Sequence, residues 1–272
     1  MQINKNLKFI IFCFIVFLSF DSHTDDGFSI SAVIETPQVE INGNADDPAI
    51  WFNEVDPSLS IVFGTDKYNG VYSYNLSGDV IGFSKSGSMN NIDLRTLNDN
   101  TYIFTTDSSN NTINVWVYKN SYLHNKSKEG SFALDKIPHH TSKVNFLAYG
   151  LCGGLSQKDE VIIFVTEAKG PGVQLWKFDD VKLSLLNTFN NSNAYDSEGC
   201  VFDDENQKFF ISEENKKGVI RSYSLTNKLL LDNKFRIDDR DGNITVDPEV
   251  LAILKTSKKE GFLIAASQGS ST

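Results

Sequence analysis

The chain has 272 residues, of which 40% are hydrophobic and 12% aromatic, and a formal charge of −10. That is enough apolar material for one large domain or two small ones. The acidic balance argues against nucleic acid as a partner, because phosphate backbones need stripes of Lys and Arg. It suits an anionic substrate only if a bound cation reverses the local field.

At the N-terminus, Lys5 and Lys8 precede a 12-residue apolar run, Phe9 to Phe20, and polar Asp21-Ser22-His23-Thr24 follows. The run is too short for a comfortable membrane span and has the layout of an export signal. Residues 1–24 are therefore expected to be a signal, cleaved near residues 19–24, although no small-x-small site is present. A retained anchor is the alternative. Residues 25–272 are expected to form one domain that is secreted or periplasmic, a monomer with no stable membrane insertion after signal cleavage.

Four segments then share one form: an apolar strand, a Thr/Ser-plus-acid step, a turn rich in Gly or Asn, and a strand with an aromatic. They run Ile61 to Tyr74, Tyr102 to Tyr118, Val161 to Phe178 and Phe209 to Tyr223. A fifth begins at Phe262 and stops at Thr272. The acids Asp66, Asp107, Glu167 and Glu213 are 41, 60 and 46 residues apart. Repeats of this size, all strand and turn with no helical run worth naming, predict an all-β fold, a β-propeller with one four-stranded blade per repeat. A β-sandwich is the competing all-β reading, but it predicts no such period. The segment Phe28 to Glu40 is β-prone and fits an outer strand of a closing blade.

Upstream of each repeat a polar or acidic head precedes an apolar strand. These heads are Asp46-Asp47-Pro48, Asn90-Asn91-Ile92-Asp93, Ala148-Tyr149-Gly150, Ser197-Glu198-Gly199 and Val246-Asp247-Pro248-Glu249. In a propeller the innermost strands start near the central channel, so Asp46, Asp47, Asp93, Glu198, Glu214, Asp247 and Glu249 are expected to meet at its mouth. A solvated acidic rim is one reading. The other is a cation site, since crowded carboxylates raise one another's pKa values and an all-oxygen set suits Ca²⁺. His124, His139 and His140 lie in connecting segments with no Zn spacing and no Ser-His-Asp order. Cys152 and Cys200 are either a disulfide or two buried thiols.

The joint order of Asp46-Asp47-Pro48-Ala49-Ile50-Trp51, Gly64-Thr65-Asp66-Lys67, Asn90-Asn91-Ile92-Asp93-Leu94-Arg95, Tyr149-Gly150-Leu151, Glu198-Gly199-Cys200-Val201, Ser212-Glu213-Glu214 and Ser267-Gln268-Gly269 resembles the β-propeller phytases. The resemblance runs from about residue 40 to the end. It implies a six-bladed propeller, of which about four and a half blades are present, and a Ca²⁺-dependent release of phosphate from phytate or another phosphorylated small molecule. It also implies several Ca²⁺ ions at the channel mouth that hold phosphates and activate water. By matching motif positions, Asp47, Asp93, Glu198, Glu214, Asp247 and Glu249 are implied metal ligands. Lys67, Tyr149 and Lys169 are implied phosphate contacts, and Lys67, Tyr149 and Glu198 the catalytic groups.

The sequence departs from the family pattern at several points. Thr106-Asp107 stands where the family has an Arg, and Ala168 where it has a Lys, with Lys169 one residue later. Tyr68 follows Lys67 in place of a second Lys, and Val250 replaces a Gly. The fifth repeat stops in mid-hairpin, which reads as a truncated product. These departures favour a rival reading, a non-catalytic Ca²⁺-stabilised propeller that binds an anionic ligand. A protein-binding propeller with an acidic rim would need no metal.

Overall fold

A computed structural model describes residues 31–39, 43–192, 194–214, 218–226, 231–236, 244 and 248–267. The chain divides into two compact units, Met1–Val33 and Ile34–Thr272. Of the first, residues 31–33 are described and form no helix or strand; the expected signal run Phe9 to Phe20 lies outside the described residues. No helix among the described residues is long and apolar enough to cross a membrane.

The second unit carries the repeats as antiparallel sheets. The first blade is β1 (Ala45–Trp51), β2 (Ile61–Asp66), β3 (Gly70–Tyr74) and β4 (Val80–Ser84). The second is β5 (Met89–Leu97), β6 (Asn100–Asp107), β7 (Thr112–Lys119) and β8 (His140–Lys143). The third is β9 (Ala148–Leu155), β10 (Val161–Glu167), β11 (Gly172–Phe178) and β12 (Leu183–Asn190). The fourth is β13 (Ser197–Asp203), β14 (Lys208–Glu213), β15 (Ile220–Leu225) and β16 (Leu231–Arg236). A two-stranded sheet, β17 (Pro248–Lys255) and β18 (Gly261–Ser267), follows. Within each blade the strands pair in sequence order. The inner strands β1, β5, β9, β13 and β17 each pack beside the next. Among the described residues this is a propeller of four complete blades and half of a fifth, as the repeat predicts.

The core lies between the blades, which explains why no repeat is self-sufficient. Phe63, Trp51 and Ile61 of the first blade pack with Ile92, Ile103 and Trp116 of the second. Phe104 and Val115 meet Leu151, Ile163 and Val165 across the next junction. Phe164 then stacks on Phe209 with ring centroids 4.1 Å apart. Each such ring contributes roughly 2–3 kcal/mol by leaving water.

The repeated acids turn out to build turns. Asp66 accepts from Tyr68 N at 3.0 Å and Asn69 Nδ2 at 2.9 Å. Asp107 does the same with Ser109 N and Asn110 Nδ2, at 3.0 and 2.8 Å. Glu167 accepts from Gly172 N at 3.0 Å, and Glu213 holds Arg221 Nε at 2.8 Å. Short polar side chains that bond to the backbone two or three residues on fix such turns.

Three expectations are corrected. The connection after β7 contains a helix, α1 (Asn120–Lys128), anchored by buried Leu123 and Ser127. Its composition, Asn-Ser-Tyr-Leu-His-Asn-Lys-Ser-Lys, offers a single strong apolar anchor, so no helical period is visible. His124 accordingly sits on that helix, with Nδ1 3.0 Å from Asn53 Nδ2, and not in a loop. The expected outer strand from Phe28 to Glu40 is not a strand over residues 31–39; Ile34 and Glu35 lie against Gly78 in the turn between β3 and β4. The ends of that segment lie outside the described residues.

Candidate functional site

Each inner strand carries one β-bulge at the same place. Opposite one residue of the second strand, the inner strand places two, between Ala45 and Pro48, Met89 and Ile92, Ala148 and Leu151, Ser197 and Cys200, and Pro248 and Leu251. Bulges re-aim side chains that strict alternation would send to the blade faces. The paired bulge residues are Asp46-Asp47, Asn90-Asn91, Tyr149-Gly150, Glu198-Gly199 and Glu249-Val250. The polar heads read from the sequence are these bulges.

A hydroxyl fills the bulge and pins the next blade. Thr65 Oγ1 accepts from Asp47 N at 2.9 Å and donates to Asn90 O at 2.7 Å. Thr106 Oγ1 donates to Tyr149 O at 2.6 Å, and Ser212 Oγ donates to Glu249 O at 2.7 Å. The Thr/Ser half of the repeated step thus fixes the backbone of the first bulge residue in the following blade.

Those first residues converge. One ligand atom each from Asp46, Glu198 and Glu249 lies within 4.8 Å of the others. Lys67 Nζ sits 2.9 Å from Asp46 Oδ1 and 3.8 Å from Glu198 Oε1. It also stands 5.8 Å from the centre of the Tyr149 ring. Asn90 Nδ2 donates to Glu198 Oε1 at 3.2 Å and to Asn91 Oδ1 at 2.7 Å. Tyr149 OH donates to Glu214 Oε2 at 3.0 Å. The site opens on a channel cavity of about 630 Å³.

The electrostatics are those of a site short of positive charge. Burial and the charge of Glu214 push Glu198 up to about 9, against the pull of Lys67. Burial raises Asp46, and burial with Glu214 and Asp46 raises Glu249. Burial lifts Asp47 to about 8, with Asp93 and Asp46 adding to it. Burial and the nearby Glu198 and Glu214 hold the Tyr149 hydroxyl well above the ordinary phenol range. Among the described residues, Asp46 Oδ2 and Glu198 Oε2 are buried with no hydrogen-bond partner. Buried acceptors without donors are costly. Three carboxylates with two orphaned oxygens fit a hard divalent cation.

The other sequence candidates are placed as follows. Asp47, one residue past Asp46, turns to the next blade, where Oδ2 accepts from Ile92 N at 2.9 Å. Asp93 lies farther along β5 and is not brought into the trio: Arg95 Nη1 reaches both of its oxygens at 3.1 Å, and Gly153 N donates to Oδ2 at 2.8 Å. Arg95 also binds Asp204 Oδ2 through Nε at 3.1 Å. Lys169 is exposed in a left-handed turn, with its N–H on Asp196 Oδ1 at 2.9 Å. Asp247 lies outside the described residues. Sequence reasoning passed over Asn90 as a contact of Glu198, although its place at the head of an inner strand was visible. Cys152 and Cys200 form a disulfide between β9 and β13.

The family model described as Phytase matches residues 10–272. This chain belongs to the Phytase family. It is 27% identical over 261 residues to a 3-phytase of Bacillus subtilis, across 90% of this chain and 65% of the relative. The chain thus spans slightly under two thirds of that relative's length. Solved structures share the fold at low identity. A periplasmic gluconolactonase of Pseudomonas aeruginosa is 12% identical with a TM-score of 0.54, covering 82% of this chain and 63% of its own. A protein from Desulfotomaculum acetoxidans is 13% identical with a TM-score of 0.52, covering 71% of this chain and 56% of its own.

Proposed function

We propose that this chain is a Ca²⁺-dependent phosphomonoester hydrolase that releases phosphate from phytate, and that it is exported and acts as a monomer outside the cytoplasm. One observation carries the reading. Carboxylates from the first, fourth and fifth blades lie within 4.8 Å of one another, and two of their oxygens are buried without donors. An acidic chain has no other evident means of attracting a polyphosphate. Membership of the Phytase family and the similarity to a 3-phytase support the substrate class.

Asp46, Glu198 and Glu249 would hold the cation, with Glu214 beside them. When bound, calcium supplies the positive field that draws in a phosphate and polarises water for attack on phosphorus. The chain's own groups do the rest. Lys67 is a point charge at the mouth, which we assign to a phosphate oxygen. Tyr149 is assigned to a phosphate oxygen as a hydrogen-bond donor, a role in which its hydroxyl turns from Glu214 to the substrate. Glu198 is held by Asn90 through one oxygen and offers the other. Lys169, near Asp196 at the rim, is the assigned contact for a more distant phosphate. Asp47 and Asp93 support the site from behind; of the two, Asp47 is the better ligand, because Arg95 and Gly153 already occupy Asp93.

The rival, a calcium-stabilised binding propeller, draws on Thr106-Asp107. Thr106 is spent on Tyr149 O and Asp107 on its own turn, so neither offers a charge to substrate. Phosphate release from phytate, measured with millimolar-scale Ca²⁺ and then with chelator, decides between them. Release that chelator abolishes is the expected result. A melting temperature raised by Ca²⁺ without turnover would leave the binding propeller.

A further inference from the structure

The junctions between blades are not held alike. A hydroxyl ties the first blade to the second through Thr65 and Asn90 O, the second to the third through Thr106 and Tyr149 O, and the fourth to the fifth through Ser212 and Glu249 O. At the junction of the third and fourth blades the equivalent residue is Thr166. Its hydroxyl is buried and has no partner. The strand it would pin begins with Ser197-Glu198, so the missing tie falls on a carboxylate of the cation trio.

That junction carries a different fastening. Alternate residues of β9, Gly150, Cys152 and Gly154, face β13. A Cβ at Gly150 would collide with Glu198 O, and one at Gly154 would collide with the ring of Phe202. At Gly150 the β9 backbone therefore lies against the backbone of Glu198, and at Gly154 it lies against the Phe202 ring, so a side chain at either position would displace its neighbour. Between these two contacts the Cys152–Cys200 disulfide joins the strands. Cys200 is two residues from Glu198, and Cys152 is three from Tyr149. Among the described residues it is the only disulfide, and it lies at the one junction where the pinning hydroxyl has no acceptor.

We propose that Cys152 and Cys200 are positioning residues, a covalent clamp that replaces the missing hydroxyl tie and holds Glu198 and Tyr149 in register for cation capture. The inference rests on the proposed cation site. Leu155 N on Asp204 Oδ1 still ties the far end of β9 to the fourth blade at 2.8 Å, but without the clamp the head of β13 loses its tie, and Glu198 leaves the distance it keeps from Asp46 and Glu249. The loss falls on cation affinity more than on the fold, because the apolar packing of Phe164 on Phe202 and Phe209 remains.

The test is a titration with terbium, a luminescent stand-in for Ca²⁺, of the unmodified protein and of Cys152→Ala/Cys200→Ala, with near-ultraviolet circular dichroism to check the fold. We expect affinity to fall about tenfold in a folded variant, the scale seen when groups that orient metal ligands are removed. A second arm reduces the unmodified protein with a water-soluble phosphine. The S–S bond takes up two electrons and two protons to give two thiols, and the phosphine becomes its oxide with oxygen from water. Affinity should fall in the same way and return on reoxidation, which a lasting loss of structure would not allow. Equal affinity in a folded, uncrosslinked protein would overturn the clamp, leaving a staple that acts on stability alone. Unfolding at room temperature in both arms would overturn it too. No terbium binding by the unmodified protein would overturn the cation site first, and the clamp with it.

Discussion

Two groups of carboxylates sit on or beside the inner strands of this propeller, a few residues apart, and they are treated in opposite ways. Asp93 and Asp204 share Arg95, and backbone N–H groups of Gly153 and Leu155 fill their remaining oxygens. Asp46, Glu198 and Glu249 share one lysine among three, and two of their oxygens have no donor. The difference shows that acids alone do not mark a site. What marks it is a shortage of donors in a buried place, maintained by bulges that turn the acids inward and by hydroxyls that hold the bulges.

The sharpest way to break this comparison is to remove the cation from the satisfied group. Arg95→Met should cost about 1.5–3 kcal/mol of stability by taking the cation from two part-buried carboxylates. Denaturant unfolding reads this directly, and a loss under about 1 kcal/mol would show that the two groups are not different in kind. Replacing an acid of the unsatisfied group should do the reverse. Glu198→Gln should weaken Ca²⁺ binding by about 10–100-fold, roughly 1.4–2.7 kcal/mol. Without Ca²⁺ its melting temperature should equal or exceed that of the parent.

A pH series sharpens the same point. Glu198 and Asp47 hold their protons to about 9 and about 8, against ordinary values of 4.5 and 3.8. Between the ordinary and the raised values the folded chain keeps protons that the unfolded chain has lost. Stability of the chelated protein should therefore fall as pH rises through that window, and saturating Ca²⁺ should flatten the trend. Melting curves at stepped pH, with and without chelator, check it. The smallest effect is expected from Thr65→Val, which leaves Asp47 N and Asn90 O without their hydroxyl. The expected loss is about 1–2 kcal/mol, with a modest fall in Ca²⁺ affinity.

Much of the blade architecture was legible because it repeats: the Thr/Ser-acid step recurs with an apolar strand before it and an aromatic strand after it. The site was legible only in outline. A bulge breaks the alternation of faces, so nothing in Asp46-Asp47 says which carboxylate enters the channel, and it is Asp46 that joins the trio. The pairing of Asp93 with Arg95 had a signal that could have been used, since residues two apart share one face of a strand. The disulfide needed the register of two blades. Inner strands show one face to the blade before and the other to the blade after, so Cys152 and Cys200 meet only because they are offset by one position in their blades. The helix α1 left no trace because one leucine is not a period.

The most direct test of the account is a crystal grown with a lanthanide in place of Ca²⁺ and an anomalous difference map. A peak among Asp46, Glu198 and Glu249, with Asp93 and Asp204 still on Arg95, is the predicted result. An empty trio, or a peak at Asp93 and Asp204 instead, would contradict it.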